Sequence, residues 1–278
     1  MYKSIITTNE LAKIVNHHHV KTLDCTMGIH RDDVFASIGT AQHFDIDDIC
    51  DPHSLFPHML PSKYTFEKKV QKLGLHNDDQ IIVYDQNGFS LAASRVWWMF
   101  RVFGHDNIAV LDGGLPQWQA QGHEIYSGIA PTPMRGDFKV KEYRAFLVRT
   151  FDEIQTNLQQ HNDLVIDVRD PERFEGRIPD ARVQNTAGHI PGSKNLPFLE
   201  LLEADCACFK SLKDIENKIQ KAGLGDKKNL VASCGSGVTA CVFALALYNL
   251  GNENVAVYDG SWTEWGSLSE KIETGRAS

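Results

Sequence analysis

KLGLHNDDQIIVYD at 72–85 and KAGLGDKKNLVASC at 221–234 follow one plan. Each passes from a lysine through Gly74 or Gly223 into a short apolar run, Ile81 to Tyr84 or Leu230 to Ala232. Each then stops at a polar residue, Asp85 or Cys234. Runs this short, bounded by turn residues, read as buried strands rather than helices. Further on, FGHDNIAVLDGGLPQW (103–118) is matched by LGNENVAVYDGSWTEW (250–265). Gly74 and Gly223 are 149 positions apart, as are Asp85 and Cys234. Gly104 and Gly251, Asp112 and Asp259, and Trp118 and Trp265 are each 147 apart. The first copy is therefore two residues longer between its strand and the following glycine. Self-similarity at this spacing means two related domains.

Within each copy, strands and helices alternate. Leu23-Asp24 and Leu164 to Asp167 read as short buried strands ending in an acid, and Ile108 to Leu111 and Val255 to Tyr258 as strands closed by Asp-Gly. Between the second and third strands, amphipathic helices are expected over 90–103 and 238–250, with Gly104 and Gly251 as their C-caps. Such alternation implies an α/β fold with two domains, each a mostly parallel sheet flanked by helices. The segment SGIAPTPMRGDFKVKEY (127–143) carries two Pro and two Gly without a strong period, which marks a connection. The expected organisation is a first domain over 1–130, a linker over 131–147 and a second domain over 148–278.

The totals narrow the function. A chain of 278 residues with 42% hydrophobic and 23% charged residues has the composition of globular domains rather than of a disordered segment. The net charge of −8 argues against nucleic acid as the partner, since phosphate neutralisation needs clustered Lys and Arg. A small anionic substrate remains compatible, because a local pair of arginines outweighs a diffuse negative surface. No run of about 20 apolar residues spans a membrane. The N-terminal stretch MYKSIITTNELAKIV has no apolar core followed by a small-residue cleavage site. The six cysteines (25, 50, 206, 208, 234 and 241) are irregularly spaced, which suits free thiols in a reducing compartment, with the cytoplasm as the expected location. Cys206 and Cys208 lack the second Cys/His pair that a zinc site needs, so no metal or other cofactor is expected.

The chemistry is expected in VASCGSGVTACVF (231–243). Ligands of open parallel sheets bind beyond the carboxyl ends of the strands, and Cys234 lies there, between a strand and a helix. Gly235 and Gly237 allow the backbone to curl so that several N–H groups face one centre, and the following helix adds its positive end. Both effects favour a thiolate nucleophile on Cys234, and would equally hold an anionic persulfide. A tyrosine-phosphatase reading fails, because gripping phosphate needs an Arg six positions after the Cys, and that position is Ala240.

Together, CGSGVTA (234–240), AGHIPGSKNLP (187–197), YDGSWTEWG (258–266), FDIDDICD (44–51), PHMLPS (57–62) and RVWWMFRVFGH (95–105) resemble the tandem-rhodanese sulfurtransferases over nearly the whole chain. The resemblance implies an inactive N-terminal rhodanese domain and a catalytic C-terminal one. Asp85 in the place of Cys234 fits that division, since a carboxylate does not accept a sulfur atom. Thiosulfate-preferring members carry Cys-Arg-Lys-Gly, whereas mercaptopyruvate-preferring members carry Cys-Gly-Ser-Gly, as at 234–237 here. The neutral Gly235-Ser236 pair agrees with the second class, since it adds no cation for a dianion.

The resemblance further implies that Arg173 in PERFEGR and Arg182 in PDARVQNTAGHIPG hold the substrate, a guanidinium fork suiting a carboxylate and its neighbouring keto oxygen. Arg177 competes for either role. Ser236 is expected to donate to the substrate or assist proton transfer, with helix capping as the plainer alternative. Gly235, Gly237, Val238 and Thr239 supply loop amides. His189 is expected to brace its turn, Asp167 and Arg169 to fix a strand end, Cys241 to pack in the core, and Trp262 and His58 to wall the cleft. One position departs from the family: Ser37 stands where the N-terminal copy usually has a His that some members place in a Ser–His–Asp relay, with Asp32, Asp33 and His43 close by in sequence. The expected reaction is a two-step transfer of sulfur from 3-mercaptopyruvate through a Cys234 persulfide to thioredoxin, glutathione or cyanide. The rival readings are a thiosulfate:cyanide sulfurtransferase and a non-catalytic sulfur carrier or redox module.

Overall fold

Short apolar runs closed by a polar residue form the centre of two sheets. The computed structural model describes residues 4–28, 36–128, 130–179, 186–225 and 229–276. In the first half, the order is β1 (Ile5–Ile6), α1 (Thr8–Ala12), β2 (Val20–Asp24), β3 (Ala36–Ser37), β4 (Gln42–His43), α2 (Lys63–Lys72), β5 (Gln80–Tyr84), α3 (Leu91–Val102), β6 (Ile108–Leu111), α4 (Gly114–Ala120) and β7 (Tyr126–Ser127). The second half continues with β8 (Val148–Arg149), α5 (Phe151–Gln160), β9 (Leu164–Asp167), α6 (Pro171–Phe174), β10 (Lys194–Asn195) and α7 (Leu212–Lys221). It closes with β11 (Leu230–Ser233), α8 (Ala240–Asn249), β12 (Ala256–Tyr258) and α9 (Ser261–Leu268).

The first sheet has the order β1-β6-β5-β2-β4, and the second, read in the same direction, β8-β12-β11-β9-β10. All neighbours in both sheets run parallel. The repeat thus extends to topology, and to register: Tyr84 pairs with Asp24 as Ser233 pairs with Asp167. A parallel sheet is covered on both faces, so its central strands are apolar on both sides. Ile81 to Tyr84 and Leu230 to Ser233 are accordingly all buried.

The equivalence reaches single side chains. Trp118 donates its indole N–H to the Glu124 carbonyl at 2.8 Å, and Trp265 donates to the Lys271 carbonyl at 2.9 Å, six residues on in both cases. Each tryptophan belongs to a core under its own sheet, with Ile82 and Leu111 in one and Val231 and Tyr258 in the other. Phe44, Phe66, Phe100, Phe103 and Phe138 form an aromatic cluster in the first unit, with ring centroids 4.2–6.4 Å apart.

The loops from β5 to α3 and from β11 to α8 are equal in length, 85–90 and 234–239. The two extra residues of the first copy lie in the helix, twelve residues in α3 against ten in α8. The expected start of the second helix near Val238 is corrected to Ala240. The carbonyls of Val238 and Thr239 accept from Cys241 and Val242, three residues on, so a tight turn precedes the regular ladder. Gly104 and Gly251 follow the helix ends at φ +79° and +96°, a left-handed conformation suited to glycine.

The chain folds as two units. The first comprises Met1–His53, Leu60–Arg144 and Ala204–Phe209, and the second Ser54–Met59, Ala145–Glu203 and Lys210–Ser278. Much of the Pro/Gly-bearing segment after β7 is an extended strap on the first unit. Gly136 N–H donates to the Gln71 carbonyl (2.9 Å), Phe138 N–H to the Leu75 carbonyl (3.1 Å), and Arg144 grips both oxygens of Asp106 at 2.6 and 2.7 Å. Among the described residues no helix is long and apolar enough to cross a membrane.

Candidate active site

Cys234 follows β11, which is hydrogen-bonded to β9 on one side and β12 on the other, so the thiol stands at the carboxyl end of the sheet's middle strand. It is buried, at 1% exposure. The turn behind it needs a glycine at Gly237, where φ is +73°. The loop carbonyls are taken by neighbours outside the turn. Cys234 O accepts from Trp262 N–H at 3.0 Å, Gly235 O from Thr263 N–H at 2.8 Å and its hydroxyl at 2.6 Å, and Gly237 O from the Cys241 thiol at 3.3 Å. In a trans peptide the next N–H points opposite to the carbonyl. The amides of Gly235, Ser236 and Val238 are therefore turned to the concave side of the loop, an anion-binding nest. Thr239, the N-cap of α8, makes no side-chain cap, and the Cys241 and Val242 amides of the first turn are taken by the carbonyls of Val238 and Thr239.

Ser261, at the start of α9, is a candidate site residue that reading the sequence missed. Its hydroxyl accepts from Cys234 N–H at 3.1 Å, donates to the Tyr258 carbonyl at 2.8 Å and lies 4.0 Å from Cys234 Sγ. Ser261 is fully buried and sits at φ +49°, a conformation costing an L-residue about 1 kcal/mol or more. The repeat supplies an internal control: its equivalent, 147 residues earlier, is Gly114 at φ +55°. A β-carbon there would stand 2.4 Å from the Asp85 carbonyl oxygen. The signal was present in the pair GGLP against GSWT (113–116 and 260–263), where a serine replaces a glycine in a glycine-type turn. Ser261→Ala is expected to lower kcat/KM by about ten- to a hundredfold, because it leaves a buried N–H beside the nucleophile unpartnered. Ser261→Gly should show the same kinetic loss while recovering stability through relief of φ. Steady-state kinetics alongside thermal melts check both, and a kinetically silent Ser261→Gly would assign the hydroxyl no part in turnover.

The other expected site residues are placed as follows. Ser236 and Thr239 are half-buried in the loop, and Val238 is buried. Arg173 is half-buried on α6, which follows β9 and so emerges at the same carboxyl edge as Cys234. Its helix is started by Asp170, whose carboxylate accepts from Arg173 N–H at 2.9 Å, and by Pro171 at the first position. His189 fixes the other end: its Nδ1–H donates to the Phe174 carbonyl at 2.8 Å and its ring stacks on Phe174 at 3.8 Å. Arg177 is engaged in ion pairs with Glu175 (2.7 Å) and Glu172 (3.4 Å), which weakens it as the competitor of Arg173. Arg182 lies outside the described residues, as do Asp32 and Asp33.

Asp167 and Arg169 pair at 2.6 Å while buried, and the guanidinium lies 4.5 Å from the centre of the Trp262 ring. That ion pair holds the residue next to Ser261, so Trp262 is a buried prop of the loop. Cys241 is buried, and its thiol braces the loop as well as packing in the core. His58 is buried within the second unit, at φ +62°. Ser37 is buried on β3 and donates to the Gly39 carbonyl at 2.9 Å, and a ring nitrogen of His43 meets the Thr26 carbonyl at 3.0 Å.

The first unit repeats the site with a carboxylate. Asp85 ends β5, Gly88 turns its loop at φ +80°, and Leu115 N–H donates to the Asp85 carbonyl at 3.2 Å as Trp262 does to Cys234. Pro116, the equivalent of Thr263, has no N–H for the next carbonyl. The Asp85 carboxylate accepts from Ala93 N–H at 3.3 Å. Burial raises its pKa to about 7, against the pull of the Ala93, Leu91 and Ala92 amides and with help from nearby Asp24.

Against known proteins, the rhodanese-like domain profile matches residues 7–121 and 150–268. The chain is 38% identical over 252 residues to the mitochondrial thiosulfate/3-mercaptopyruvate sulfurtransferase 1 of Arabidopsis thaliana, a match over 83% of this chain and 65% of that protein's length. It is 40% identical over 226 residues to the 3-mercaptopyruvate sulfurtransferase of Homo sapiens, covering 81% of this chain and 75% of the human protein. Among solved structures, SseA from Escherichia coli, a 3-mercaptopyruvate sulfotransferase, superposes with a TM-score of 0.82 at 30% identity over 94% of this chain and 99% of its own. With the same domain matched twice, and a cysteine in one copy of the loop where the other has an aspartate, the chain belongs to the rhodanese family as a tandem-domain member.

Proposed function

We propose that this chain is a sulfurtransferase that moves sulfur from 3-mercaptopyruvate through a persulfide on Cys234 to a thiol or cyanide, releasing pyruvate. The observation that carries the reading is the Cys234 loop, whose carbonyls are drawn outward by Trp262, Thr263 and Cys241. Arg173, with Arg182 as the second arginine of the family resemblance, holds the substrate carboxylate and keto oxygen. The Cys234 thiolate attacks the substrate sulfur, the carbon–sulfur bond breaks, and its electron pair leaves on carbon as the pyruvate enolate, which takes a proton. The inward amides of Gly235, Ser236 and Val238 stabilise the persulfide anion left behind. An acceptor thiol (thioredoxin or glutathione) or cyanide then attacks the outer sulfur, and the sulfur–sulfur bond breaks to return the Cys234 thiolate. The residues need no metal or organic cofactor for these steps. Free thiols throughout the described chain suit a reducing compartment, and the cytoplasm is the proposed location.

The discriminating experiment is steady-state turnover with 3-mercaptopyruvate and with thiosulfate, cyanide being the common acceptor. Gly235 and Ser236 add no cation beside Cys234, so 3-mercaptopyruvate is expected to be strongly preferred. Preference for thiosulfate would keep Cys234 but overturn the donor, and no turnover with either would leave a sulfur carrier.

A further inference from the structure

The first unit also holds two cysteines close in sequence, in the short segment Ala204–Phe209. Cys206 and Cys208 flank Ala207, which sits at φ +53°, a left-handed conformation that a residue with a β-carbon rarely adopts. This tight reversal brings the two side chains together. Cys208 N–H donates to Cys206 Sγ at 3.4 Å, Cys208 Sγ lies 3.6 Å from the Cys206 carbonyl oxygen, and the Cys206 side chain is near enough to push the Cys208 thiol pKa up. The turn is anchored on its far side. Phe209 N–H donates to the Asp112 carboxylate at 2.8 Å, and a β-carbon on Gly113 would come within 2.9 Å of Cys208 Sγ. Both cysteines are half-buried and both are free.

We infer that Cys206 and Cys208 are a redox-active dithiol, a modification site separate from Cys234 that peroxides close to an internal disulfide. The reversal at Ala207 supplies the close approach that a disulfide across one intervening residue requires. Cys206 is the sulfur that reacts first. Burial, the hydrogen bond with Cys206 and the carboxyl of Asp112 all push the Cys208 thiol up and keep it protonated. The Cys206 thiolate attacks a peroxide oxygen, the oxygen–oxygen bond breaks, and the departing hydroxide takes the proton that the Cys206 thiol released, giving a sulfenic acid and one water. Cys208 then attacks that sulfur, the sulfur–oxygen bond breaks, and the departing hydroxide takes the thiol proton as a second water. The sulfur pair loses two electrons and the peroxide gains them. A bridge on so small a ring is strained, and external dithiols reopen it readily. A soft-metal reading of the same pair lacks a third ligand: among the described residues, the one group of three or more His, Cys, Asp or Glu within ligand reach is His19, Asp78 and Asp79.

The test uses the full-length protein, reduced, freed of reductant, treated with stoichiometric hydrogen peroxide and then alkylated with iodoacetamide. Trypsin releases 195–210, which contains Cys206 and Cys208 and no other cysteine. The expected product is this peptide lighter by two hydrogens and unalkylated, reverting to the doubly alkylated form after dithiothreitol. A peptide that stays doubly alkylated, carries a sulfinate, or is cross-linked to another cysteine peptide overturns the inference. Cys208→Ser is expected to remove the closed form while the untreated variant keeps its turnover with 3-mercaptopyruvate. A Cys208→Ser peptide still lighter by two hydrogens overturns it as well.

Discussion

Cys234→Ser is expected to remove the proposed turnover with 3-mercaptopyruvate, by about four orders of magnitude or more, the scale seen when an enzyme loses its nucleophile. A serine hydroxyl is ionised far less than a thiol at neutral pH and does not form a persulfide. The substitution changes one buried atom, and the grip on the loop is made by backbone, through Cys234 N–H to Ser261 and Cys234 O to Trp262 N–H. The thermal transition should therefore stay close to that of the parent while catalysis disappears. Mass spectrometry of the donor-treated protein is the companion measurement. The parent is expected to gain the mass of one sulfur on the peptide bearing Cys234, and the variant none. Turnover surviving in Cys234→Ser, with the parent unmodified at Cys234, would remove the persulfide from the mechanism.

Asp85→Asn is expected to stabilise the protein above neutral pH and to do little near pH 4. Asp85 is fully buried, with a pKa near 7 in the folded chain against 3.8 for an ordinary aspartate. The folded state thus holds the proton more tightly than the unfolded one. Its contribution is fully present below about pH 4 and is lost as the pH rises through about 7. The loss is on the order of 4 kcal/mol for a shift of this size, with the range of a factor of two usual for buried groups. Asparagine keeps the shape and a carbonyl oxygen for Ala93 N–H but carries no proton to lose. Denaturant unfolding of parent and variant at pH 4, 6 and 8 isolates this effect as a difference, since Asp112 and the other titrating groups are common to both proteins. Parallel stability curves would show that the Asp85 carboxyl is not desolvated as its burial implies.

The two tests address the two copies of one loop, which differ in what the sequence disclosed. A strand, a polar residue, a glycine turn and a helix were readable in both 80–102 and 230–249, because apolar runs and glycines are local signals. The helix start slipped by two residues, because the carbonyls of Val238 and Thr239 are satisfied in a tight turn that has no compositional mark. Arg173 could be expected near the site from its motif, but its place at the carboxyl edge follows from the pairing of β9 with β11.

By itself, the sequence determined that the chain repeats one α/β plan, that its sheets are parallel, that Cys234 and Asp85 are equivalent, and that no membrane-spanning run is present. These follow from periodicity and from a fixed offset between copies, which need no knowledge of what touches what. Only the tertiary structure decided that Ser261 holds Cys234, that Thr263 and Trp262 draw the loop carbonyls outward, and that Arg169 lies over Trp262. It likewise decided that 131–144 straps the first unit and that Cys206 meets Cys208 across a left-handed alanine. Each of these depends on where a backbone group points after the chain has turned back, a direction set by packing and hydrogen-bond satisfaction between segments distant in sequence.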